Sequence, residues 1–84
     1  MHPISVPERV IVAPSVGVFH PLVDSPHPDG QYVQIGQSIG LIESRGVATP
    51  VLSPFPGHLV GMLATDGERI REGEPIAWLR IKTP

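Results

Sequence analysis

Apolar residues along the chain come in short runs that alternate with polar ones, and glycine or proline closes almost every run. The clearest are "RVIVA" at 9–13, "SIGLIE" at 38–43 and "PIAWLRI" at 75–81, all rich in β-branched residues. Alternation with period two and frequent chain-turners predicts half-buried strands, because successive side chains in a strand point to opposite faces. The pattern predicts eight strands, at 9–13, 16–21, 31–35, 38–43, 47–52, 58–64, 68–71 and 76–81. Pro54 and Pro75 are placed at strand starts, where a missing N–H costs least. Trp78 alternates with Ile76, which predicts packing in the core or between sheets. Hardly any stretch long enough for a stable helix lacks glycine or proline, so long helices are excluded.

The same pattern occurs twice. Pro14 and Gly17 recur as Pro54 and Gly57, an offset of 40. Asp29, Gly30, Val33, Gly36, Ile39 and Ile42 recur as Asp66, Gly67, Ile70, Gly73, Ile76 and Leu79, an offset of 37. The first half therefore carries three extra residues between Gly17 and Asp29, within "HPLVDSPHP". Val33 with Ile70, and Ile39 with Ile76, are expected to point inward from equivalent strands. A twofold arrangement of short strands lets each half cover the apolar face that the other cannot bury alone.

Composition narrows the class. At 84 residues there is room for one domain, and 40% hydrophobic residues argue against wholesale disorder. Nine glycines and eleven prolines fit strands joined by tight turns. A net charge of −2, with five arginines and one lysine scattered among eight acids, gives no basic stripe for nucleic acid. There is no cysteine for a disulfide or thiol chemistry. "MHPISVPERV" has neither the basic start nor the apolar run of a secretory leader, and no run approaches a membrane span, so a soluble cytoplasmic protein is expected.

The doubled motifs, "APSVG" with "SPFPG" and "DGQYVQIGQSIGLIE" with "DGERIREGEPIAWL", closely resemble the biotinyl/lipoyl attachment domain. The likeness is strongest to the biotin carboxyl carrier domain of acyl-CoA carboxylases and covers residues 10–81. It implies an all-β fold, a flattened barrel or sandwich of two four-stranded sheets with a pseudo-twofold axis. Termini would lie at one end and the carrier hairpin at the other. Residues 1–9 would be an N-terminal extension, 10–82 the domain, and 83–84 a tail. An insertion at about 20–29, carrying His20, Asp24, His27 and Asp29, resembles a shortened form of the thumb of bacterial carriers.

In that family a glutamate ends the fourth strand, and the modified lysine follows three residues later. An Ala/Ser-Pro pair comes seven residues after that lysine. Glu43 and Ser53-Pro54 are both in place, and both counts lead to position 46, which is glycine. The hairpin "ESRGVATP" puts Arg45 and Val47 where a biotin carrier has methionines. Neither glycine nor a permanently protonated guanidinium can form the amide to biotin or lipoate. Arg45-Gly46 also suits a primed two-residue turn, which asks for φ > 0. Neither biotin nor lipoate is therefore expected as a cofactor, and Glu43, Ser44, Arg45, Gly46 and Val47 are expected to form a tip that docks on a partner.

The resemblance makes carboxylase-type subunits the expected partners: biotin carboxylase, carboxyltransferase or a true carrier. The expected role is non-catalytic assembly or regulation. A self-paired dimer through edge strands is a further option. Two alternatives stay open: a true carrier modified at Lys82, the only lysine, or a barrel recruited as a small enzyme with His20 and His27 lining a pocket beside the hairpin. The spacing of His20, Asp24, His27 and Asp29 fits no common metal motif, so a proline-braced loop is expected there. Glu68, Arg69, Arg71, Glu72 and Glu74 read as a solvated turn of mixed charge.

Overall fold

The computed structural model describes residues 8–23 and 31–81. Its eight strands are β1 (Glu8–Val12), β2 (Gly17–Pro21), β3 (Gln31–Val33), β4 (Ser38–Ser44), β5 (Val47–Leu52), β6 (Gly57–Met62), β7 (Arg69–Ile70) and β8 (Pro75–Arg80). All pairings are antiparallel, in two four-stranded sheets ordered β1-β8-β6-β3 and β5-β4-β2-β7. The result is an all-β flattened barrel-sandwich. Among the described residues no helix is long and apolar enough to cross a membrane.

The internal repeat governs the register. Val33 pairs with Gly57 just as Ile70 pairs with Gly17, and Leu59 with Leu79 just as Phe19 with Ile42. Hydrogen bonds at the corners repeat too: Ala13 N donates to Glu74 O at 2.9 Å, and Ser53 N to Gln37 O at 2.9 Å. Each sheet draws strands from both halves, and the inner faces meet in one core. Ile11, Phe19, Val33, Ile39, Ile42, Val51, Leu59, Ile70, Ile76 and Leu79 are all essentially inaccessible to solvent. Val33, Ile70, Ile39 and Ile76 thus point inward, as their repeat positions predict.

The structure refines three expectations. His20 pairs with Leu41 while Gly61 pairs with Trp78, so the offset between β2 and β6 rises to 41 after the bulge between Leu59 and Gly61. The first half therefore holds four extra residues between Pro21 and Gln31, and β6 holds one of its own. Trp78 lies outside the core, half-buried on the outer face opposite Val10, with its indole against Gly61. A bulge in the β1–β8 pairing turns both Ile76 and Ala77 inward, which reverses the parity that would have buried Trp78. Pro75 does open β8, but Pro54 stands in the crossover before Gly57.

That crossover fixes the two ends of the barrel. The chain runs from Val47 down β5 to Leu52, opposite Ser38, and then passes into β6, where His58 lies beside Arg80. Glu8 also pairs with Arg80, and the Arg9 guanidinium lies 5.8 Å from the centre of the Phe55 ring. The outer ends of β1 and β8 therefore lie opposite the turn between β4 and β5.

Gly17 holds the hairpin end closed. A Cβ at Gly17 would meet Glu43 O at 2.5 Å and Ile42 Cγ2 at 2.6 Å. Gly17→Ala is expected to lower stability by about 1–3 kcal/mol through this clash with backbone. Urea unfolding followed by tryptophan fluorescence measures the loss, and a change within about 0.5 kcal/mol would contradict the close approach.

Candidate hairpin tip and adjoining groove

β4 and β5 zip together from Gly40 with Val51 up to Ser44 with Val47, and only Arg45 and Gly46 join them. Arg45 has φ 52° and Gly46 φ 79°. Two successive positive φ values are the signature of a type I′ turn, whose twist matches that of the flanking strands. Gly46 adopts this without Cβ strain, whereas Arg45 is the only described non-glycine residue with positive φ. The chain thus reverses at the two residues the sequence singled out, and Glu43, Arg45, Gly46 and Val47 are all exposed there.

A groove of about 600 Å³ runs beside the tip, lined by Val16, Gly17, Val18, Glu43, Ser44, Arg45 and Arg69. Register explains the grouping. Val18 is flanked in the sheet by Glu43 on β4 and by Arg69 on β7, so the three share the outer face close to the turn. No carboxylate among the described residues lies within ion-pair distance of Arg45 or Arg69.

Of the five residues expected at the tip, Glu43, Ser44 and Arg45 line the groove while Gly46 and Val47 do not, and the groove adds four that the sequence pattern alone does not assign to a site: Val16, Gly17, Val18 and Arg69. In the sequence Arg69 stands among the mixed charges around 68–74. The signal that places it lies in the repeat, since it precedes the inward Ile70 by one residue and must face outward beside Val18.

His20 goes elsewhere. It lies on β2 opposite Leu41, four residues along β4 from Arg45, or about 14 Å at ordinary strand rise. Its Nδ1 is 3.0 Å from Asp66 Oδ1, and the ring N–H donates to the carboxylate. Gly67 N donates to Phe19 O at 2.8 Å and Phe19 N to Glu68 O at 2.9 Å, so three contacts tie β2 to the turn between β6 and β7. His20 lines neither the tip groove nor the smaller cavity of about 240 Å³ between Pro21, Val23, Met62, Ala64, Thr65 and Asp66. His20 is thus not among the residues that line the tip groove, and Asp24, His27, Asp29 and Lys82 lie outside the described residues. Among the described residues no three His, Asp or Glu side chains converge on a common point.

No protein-family model matches the chain, and no curated protein does. Solved structures match over nearly all of it. A single-chain, multi-domain long-chain acyl-CoA carboxylase superposes on 98% of this chain with a TM-score of 0.74 at 18% identity. The urea carboxylase of Kluyveromyces lactis covers 94% of it, also with a TM-score of 0.74, at 19% identity. This chain spans only 8% and 6% of their lengths. At such identities the likeness is one of fold.

The His20–Asp66 contact is solvent-exposed, with side chains 44% and 71% accessible. A double-mutant cycle with His20→Ala and Asp66→Ala is expected to give a coupling of at most about 1 kcal/mol, falling as salt is raised. Coupling well above that would show the contact to be a structural clamp.

Proposed function

We propose that this chain is a biotin carboxyl carrier-like domain that acts by docking, as a non-catalytic assembly or regulatory module of a carboxylase-type complex. The supporting observation is the apex of the β4–β5 hairpin, where a tight turn is made by Arg45 and Gly46 and offers no amine. The sequence counts from Glu43 and from Ser53 both lead to Gly46 in that turn, which supports reading the apex as the attachment position of the family the sequence resembles. The residues there do not fit biotin or lipoate, since the prosthetic group requires a lysine nitrogen for its amide. The likeness to two carboxylases supports carboxylase subunits as partners.

The tip keeps what a docking element needs. It is exposed, short, and held by a fully paired two-stranded ladder, so little order has to be gained on binding.

Co-expression with an active biotin ligase tests the reading by intact mass. The chain is expected to keep its unmodified mass, and a biotinyl or lipoyl increment, at Lys82 or elsewhere, would overturn the proposal. Gly46→Lys has open space for its side chain, because nothing lies within 4 Å of the point where its Cβ would stand. It is expected to fold with a loss of roughly 1 kcal/mol from the positive φ and to remain a poor ligase substrate beside Arg45 and Val47. Efficient biotinylation of that variant would contradict the role given to the flanking residues.

A further inference from the structure

The groove at the tip has a counterpart at the other end of the barrel, and the contrast between the two shows what is particular to it. The repeat carries the row Ala48–Glu43–Val18–Arg69 onto the row Glu8–Arg80–His58–Tyr32. In the second row Tyr32 and His58 meet edge to face, with ring centres 5.4 Å apart, and cover their strands. In the first row valine and arginine stand at those places, so the strands stay uncovered and the groove opens. The two ends thus differ, with an aromatic pair at one and Val18 with Arg69 at the other, where Arg69 shares the groove with Arg45.

We infer that this groove is a recognition site for an acidic, partly apolar segment of a partner protein, with Arg45 and Arg69 receiving its carboxylates. The inference rests on the docking reading above and names the chemistry of the surface that the tip meets. Two guanidiniums with no ion-pair partner among the described residues line one groove, and each presents a planar fork suited to a carboxylate. Ser44 also lines the groove and carries a hydroxyl able to donate.

Apolar side chains border the charges. Val16, 53% exposed, lines the groove, and Val47, 64% exposed, follows the Arg45–Gly46 turn directly. Arginine interleaved with exposed aliphatic groups is the make-up of a protein interface rather than of a pocket for a small inorganic anion. The groove is also open, so a free anion there would stay hydrated and weakly held. A partner segment that covers the groove would exclude water and strengthen both ion pairs. Glu43, beside Val18, disfavours a second carboxylate on its own side and so sets the direction in which an acidic segment lies.

Titration of the ¹⁵N-labelled full chain with a blocked hexapeptide alternating glutamate and leucine tests the assignment. Saturable shifts are expected at the amides of Gly17, Val18, Ser44 and Gly46 and at the Arg45 and Arg69 Nε–H groups. Binding should weaken about tenfold in each of Arg45→Gln and Arg69→Gln, which is about 1.4 kcal/mol. It should fade as salt rises from about 20 to about 300 mM, and the glutamine analogue of the peptide should not bind. Both substitutions are on exposed positions, and an unchanged spectrum outside the groove shows that the variants fold.

Shifts centred elsewhere, no saturation at millimolar peptide, or binding by both variants as tight as by the unaltered chain would overturn the inference. So would inorganic phosphate binding the groove as tightly as the peptide, since that would make it a small-anion site. A carboxylase subunit bound through the hairpin by a chain that ignores the peptide would refute the carboxylate chemistry and leave the docking function standing.

Discussion

Interleaving of the two sequence halves is the constraint on which the rest of the molecule depends. Strands β1 to β4 come from one half and β5 to β8 from the other, yet each sheet contains two strands of each. Neither half can close a sheet or bury its apolar face by itself, so the inward Val33, Ile39 and Ile42 find cover only when Ile70, Ile76 and Leu79 arrive from the other half. Such a fold is made almost wholly of long-range contacts, which a small chain can sustain only if its turns are short and its glycines are where backbones cross.

The β4–β5 hairpin takes its character from this arrangement. It is the single covalent link between the halves, and it is also their most complete local ladder. A type I′ turn of arginine and glycine closes it with little strain at the second position. A lysine at position 46 would place a side chain with positive φ at the same point, a conformation that L-residues adopt at a cost. The sequence at the tip is therefore consistent with a turn optimised for stability and for surface chemistry, in place of one that must present an amine.

Much of this was legible in the chain. The offsets of 40 and 37 located the equivalent strands and the inward pairs, because a repeat that must build two matching sheets repeats its register as well as its residues. Arg45-Gly46 was legible for a local reason, since the turn chemistry and the counts from Glu43 and Ser53 converge there. What escaped was set by bulges and by contacts across strands. Trp78 changed faces because a bulge admits Ile76 and Ala77 together, and no alternation rule registers an extra residue. Arg69 looked like one charge in a solvated turn; only its pairing with Val18 brings it to the groove. His20 stands beside the insertion in the sequence, but the turn between β6 and β7 folds against β2 and brings Asp66 to it.

Whether the chain is a docking relative of a carrier domain is tested most directly by isolating the tagged full chain from its native host at natural abundance. Mass spectrometry of the isolate reports partners and modification together. A docking module predicts a carboxylase subunit bound to a chain of unmodified mass, and loss of that subunit when the hairpin tip is altered. A chain bearing a biotinyl or lipoyl group, or one that brings down no carboxylase subunit, would contradict it.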